Sequence, residues 1–142
     1  MSTKFETMKA LIAAWSTGDI DGALSFMSED IVWHYAVAVA PPLRGKVKAR
    51  TFLENFKSQI AKVNWRIFDY AESGDRLFVE GVDEYHAKTG EIVAAPYAGV
   101  LEFRDGLICG WRDYVDVSVI ESQKAGTPAP VWVTALIDRV AL

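Results

Sequence analysis

The chain has 142 residues, 51% of them apolar, 12% aromatic and 24% charged, with a formal charge of -4. That is the length of one domain, 1–142, and an acidic chain without a run of lysines or arginines is a poor match to a phosphate backbone, so nucleic acid is not an expected partner. Its one cysteine, Cys109, excludes an intramolecular disulfide and a thiolate metal cluster, and no segment approaches the roughly 18 apolar residues of a membrane span, so a soluble cytoplasmic protein with no membrane partner is expected.

From Thr3 onward Phe5, Met8, Leu11, Ile12 and Trp15 recur at helical spacing, and Thr3 with Glu6 forms a capping box. Gly18 ends this helix, and Asp19 caps a shorter one reaching Met27. Ile31 to Val39 reads as a strand, which Pro41-Pro42 stops. A second long helix is predicted from about Val47 to Ile60, with Ala49, Phe52, Leu53 and Phe56 in its stripe. Strands follow over Val63–Tyr70, Leu77–His86, Ile92–Arg104 and Leu107 to about Val117, and Asp105-Gly106 is a strong hairpin signal. Helices followed by an antiparallel meander predict an α+β fold, a cone of N-terminal helices packed on a curved, mainly antiparallel sheet. The tail from about Gln123 is loop-like, then helical in Val131–Leu142, and is expected to form a lid over the cone or an interface helix.

Two strands place an aspartate on an apolar face. Alternation groups Leu107, Cys109, Trp111, Asp113 and Val115, and likewise Leu77, Val79, Gly81, Asp83 and Tyr85. A carboxylate there is costly unless it is paired or used, and a pair of them facing one pocket would share protons unequally. Asp113 is therefore read as a catalytic base and Asp83 as an acid or orienter, with Tyr35 or Tyr97 as donor to a developing oxyanion. The competing structural reading pairs Asp113 with Arg44 or Arg66. Trp33, Trp65, Trp111, Tyr97 and Gly81 are candidate walls for a small apolar molecule. His34 and His86 lie on different strands without metal-ligand spacing, so no metal is expected, and the absence of a Gly-rich phosphate loop argues against a nucleotide cofactor. Phe78, Val82, Val100 and Ile108 fall on the other sheet face among Glu80, Glu102, Arg104 and Arg112, a mixture that suggests a homodimer formed through the sheet.

The Gly18-Asp19-Ile20-Asp21-Gly22-Ala23 corner, the Ser28-Glu29-Asp30-Ile31-Val32-Trp33 run and the Gly110-Trp111-Arg112-Asp113-Tyr114 strand resemble the nuclear transport factor 2-like superfamily, in its SnoaL-like and limonene epoxide hydrolase branch. The resemblance implies the cone fold and a choice among isomerases, cyclases, hydrolases and silent binders. The two aspartates of limonene epoxide hydrolase match Asp83 and Asp113, whereas its bridging arginine falls on Gly81 and its water-holding tyrosine and asparagine fall on Trp33 and Tyr35. The general-base aspartate of ketosteroid isomerase falls near Tyr35. The SnoaL-type cyclases use an aspartate near the Asp113 position for an aldol closure, a precedent that needs the fewest missing residues. Isomerisation or aldol-type cyclisation of an apolar carbonyl compound is thus the first expectation. Epoxide hydrolysis with an altered site is the second, and a non-catalytic ligand-binding domain the third.

Overall fold

The computed structural model describes residues 3–142, with side chains from Lys4 onward. The Thr3–Glu6 capping box lies outside the described residues. Helix α1 (Thr3–Ser16) buries Phe5, Met8, Leu11 and Trp15, the stripe its spacing predicts. Asp19 caps α2 (Ile20–Leu24) by accepting a 2.9 Å hydrogen bond from the Gly22 amide. Strand β1 (Met27–His34) precedes the short β2 (Leu43–Arg44), and α3 (Lys46–Gln59) follows.

The stretch read as one strand from Val63 is divided. β3 (Ile60–Val63) and β4 (Arg66–Ser73) both lie along β5 (Arg76–Ala87), β3 opposite Tyr85–Ala87 and β4 opposite Arg76–Val82. β6 (Ile92–Arg104) and β7 (Leu107–Val115) complete a sheet ordered β2-β1-β7-β6-β5-β3. The helices and this curled sheet make the α+β cone expected from the sequence. β1 runs parallel to β7, joining the first strand to the last. At the β6–β7 turn Asp105 and Gly106 have φ of 54° and 79°, the paired positive values of a type I′ hairpin.

One departure from simple alternation sets the inner face of β7. The register slips between Glu102 and Phe103, so that Phe103 pairs with Ile108 and Glu102 with Gly110, leaving Cys109 as the extra residue of a bulge. Ile108, placed on the outer face by strict alternation, is instead fully buried in the core, while Leu107 is exposed. Beyond the bulge Trp111 and Asp113 keep the inner face.

The last strand stops at Val115, and Asp116 caps a helix not foreseen in the sequence, α4 (Val117–Lys124). Helix α5 (Val131–Ile137) lies on the outer face of the sheet, where Ile137 packs with Phe68, Val82 and Ala94. Arg66 donates to the Ile137 carbonyl, Arg139 reaches Glu80, and the Leu142 amide donates to Ile67. The terminal helix is therefore not the lid of the cone. Its apolar side is used by Val82 and its neighbours on the convex face, and α4 takes the mouth. Among the described residues no helix is long and apolar enough to cross a membrane.

Candidate active site

A chamber of about 340 Å³ opens inside the cone between α3, α4 and the inner face of β5–β7. Asp83, Asp113 and Tyr35 all line it, as do Trp33 and Trp65. The other three residues expected at the wall, Tyr97, Trp111 and Gly81, lie in the layer behind it. Trp111 stacks on Trp33 with centroids 4.9 Å apart, and its indole Nε1 donates to Asp113 Oδ1 at 2.8 Å. Asp113 therefore has one oxygen held by the scaffold, and Oδ2 is left for the chamber.

Two glycines shape the surroundings of the carboxyl pair. Gly99 pairs with Asp113 across β6–β7, and a Cβ there would come within 2.7 Å of Asp113 Oδ1. At Gly81, where the family resemblance places an arginine, a Cβ would run first into the Arg66 backbone carbonyl and then meet Tyr97 Cε1 at 3.0 Å and Tyr97 Oη at 3.2 Å. The Tyr97 ring lies over Gly81, its partner across β5–β6, so a neutral phenol occupies the space next to the pair where a guanidinium is absent.

Among the described residues neither aspartate forms an ion pair: Arg66 pairs instead with Glu84 at 3.2 Å, and Arg44 makes no salt bridge. Burial accordingly governs their ionisation. It raises the Asp83 carboxyl from 3.8 to about 7. Asp113, only 5% exposed, is driven well above the carboxylate range by burial and then by the Asp83 charge, against the opposing pull of the Trp111 donor. Burial and the two carboxyl groups likewise push the Tyr97 phenol well above its usual value. Burial thus raises both carboxyl groups, and the repulsion between them favours a single ionised member of the pair.

The sequence reading missed the rest of the wall. Phe52 and Phe56 look like core stripe in a helix, but the outer half of that stripe faces the chamber. Tyr85 follows Asp83 on the same strand face and was legible by alternation. Ile120, Glu121 and Lys124 come from α4, whose one sequence signal is the Asp116 cap. Gln123 fixes α4 in place: its Nε2 donates to the Ala94 carbonyl and its Oε1 accepts from the Ala94 amide, both at 2.8 Å. This amide stands in for a strand partner where β7 has ended. Among the described residues no group of three or more His, Cys, Asp or Glu side chains comes together as a metal set.

A cone of helices on a curled sheet is the architecture of SnoaL-like proteins. The SnoaL-like domain family matches residues 8–111, and the chain belongs to it. No curated protein sequence matches the chain. Similar solved structures include an LEH-like epoxide hydrolase of M. tuberculosis (24% identity, 83% of this chain and 86% of the other, TM-score 0.73). An isomerase candidate of Bacillus subtilis (23% identity, 89% and 98% covered, TM-score 0.76) and a SnoaL-like polyketide cyclase candidate of Shewanella denitrificans (14% identity, 89% and 100% covered, TM-score 0.79) are also similar. At these identities the likeness establishes the shared fold and not a shared activity.

Proposed function

We propose that the chain is a small-molecule enzyme carrying out acid–base chemistry, an isomerisation or aldol-type cyclisation, on an apolar carbonyl compound held in the chamber. The observation that carries this reading is a pair of carboxyl groups in one apolar chamber, without a cationic partner, whose proton affinities are driven apart. In this reading the roles expected from the sequence are exchanged. The more deeply buried Asp113 keeps its proton and donates from Oδ2 to the substrate carbonyl oxygen, while the Asp83 carboxylate removes a proton from the adjacent carbon. The enol so formed either regains a proton at another carbon or attacks a second carbonyl, whose oxygen takes the proton. Tyr35 on the same wall is the further donor to that oxygen. No cofactor is needed for either outcome.

The test is exchange of α-hydrogens of enolisable ketones with D2O, followed by NMR. Wild-type protein should accelerate exchange, and Asp83→Asn and Asp113→Asn should each lose it. Undiminished exchange or turnover in Asp113→Asn refutes the assignment. The same pair, acid toward an epoxide oxygen and base toward water, supports epoxide opening as a second reading, which ¹⁸O from solvent water in a diol product would identify. A homodimer through the part of the outer sheet that α5 leaves uncovered, at Phe78 and Tyr114, accompanies this proposal, and sedimentation equilibrium of wild type against Phe78→Glu tests it.

A further inference from the structure

Six aromatic side chains, Trp33, Tyr35, Phe52, Phe56, Trp65 and Tyr85, line the chamber. All but Trp65 form a connected wall: ring centroids are 4.4 Å apart for Tyr35–Phe52, 6.1 Å for Phe52–Phe56 and 5.1 Å for Phe56–Tyr85. Trp33 meets Phe52 edge to face at 5.3 Å. Besides its tyrosines, the ionisable residues of the lining are three acids, Asp83, Asp113 and Glu121, and one base, Lys124, on α4 at the mouth.

These observations point to one class of ligand. Aromatic rings carry negative faces that attract a positive charge most strongly where water is excluded. A neutral apolar molecule, the carbonyl substrate proposed above included, satisfies the rings but draws nothing from the charge of an ionised Asp83. A hydrated metal ion would find no group of three or more His, Cys, Asp or Glu side chains together among the described residues, too few ligands for a hard cation. An anion would be repelled by the acids. We propose that this chamber binds a small organic ammonium ion with apolar substituents, its charge toward Asp83 and its alkyl groups against the rings. About 150 Å³ is enough to hold a benzene, so about 340 Å³ accommodates such an ion with a further ring or short chain attached.

Binding of this kind is linked to pH through Asp83, which must be ionised to pair with the ion. The groups facing Asp83 are Asp113 on β7, Tyr97 on β6, Tyr85 on its own strand, Tyr35 after β1, and Glu121 and Lys124 on α4; α3 contributes only Phe52 and Phe56. Asp113 and Tyr97 are held protonated by burial, so Asp83 is the member of the buried cluster that changes charge near neutrality. The ionised fraction of a group titrating at about 7 rises about tenfold from pH 6 to pH 8.

The experiment is an NMR titration of the tryptophan indole resonances with choline and with its uncharged isostere 3,3-dimethylbutan-1-ol, at pH 6 and pH 8. At pH 8 choline should bind about tenfold or more tightly than the alcohol, and its affinity should fall about tenfold at pH 6 while that of the alcohol stays constant. Asp83→Asn should lose the preference for the cation. Equal binding of the two ligands at pH 8, or a choline affinity that does not change with pH in the wild-type protein, overturns the inference. The pH series needs no variant and so does not depend on the folding of Asp83→Asn. The inference also stands apart from turnover, because the choline preference and its pH dependence are read on wild-type protein without a carbonyl substrate, whereas failure of the proposed activity shows as absent α-hydrogen exchange.

Discussion

Replacing Asp83 by Asn tests the electrostatic account of the chamber most directly, because the amide has the shape of the protonated acid and cannot ionise. In the folded protein burial keeps the Asp83 proton on up to about pH 7, whereas in the unfolded chain the group ionises near 3.8. Between those values the folded state binds more protons, so folding stability falls as pH rises through this window, and the loss is complete above it. A rise from 3.8 to about 7, at about 1.4 kcal/mol for each tenfold in proton affinity, corresponds to about 4 kcal/mol. Asp83 is half-buried and meets water at the chamber, which screens its charge, so about 2–4 kcal/mol is the expected span. The Asp83→Asn substitution removes that penalty. The variant should match the wild type at pH 4 and exceed it at pH 8, by roughly 5–15 °C in Tm for a domain of this size. Thermal unfolding by circular dichroism at half-unit pH steps gives both curves. If wild type and variant run parallel from pH 4 to pH 8, Asp83 does not titrate in an apolar site, and its role as the base is refuted.

Other perturbations probe the supports of the site. Gly99→Ala places a methyl group where Asp113 Oδ1 now sits, 2.7 Å away, so the carboxyl must turn and the Trp111 bond must break; α-hydrogen exchange should fall by a factor of about 10–100 with a stability cost of about 1–3 kcal/mol. Trp111→Phe keeps an aromatic ring on Trp33 but removes the donor that opposes protonation of Asp113, so the upper limb of the pH–rate profile should move to higher pH and kcat should fall more than KM rises. Gln123→Ala severs both contacts of α4 with Ala94, and native-state hydrogen exchange should speed up over residues 93–96 and 117–124 while the β5–β6 core at Leu77 and Leu101 is unchanged.

The alternation of β5 and β7 and the helical stripe of α1 were legible because each records burial on a fixed local period: Leu77, Val79 and Asp83 face inward, and so do Met8 and Trp15. The Asp105-Gly106 turn was equally plain, since few residue pairs accept positive φ twice in succession. With these came the cone and the two aspartates on its inner face, while the absent arginine at Gly81 was legible only through the family resemblance. Three things depended on contacts distant in sequence. The Cys109 bulge moves Ile108 from the outer face to the core, and a one-residue slip leaves no mark in composition. α4 holds its place through Gln123 on Ala94, a bond to an unfinished strand edge that exists only once β7 has ended beside β6. The order of proton affinities in the carboxyl pair is also a tertiary property. Sequence puts one aspartate on each strand, but which of them lies deeper, with Trp111 and Gly99 against it, follows from how the sheet curls, and depth of burial decides which carboxyl keeps its proton.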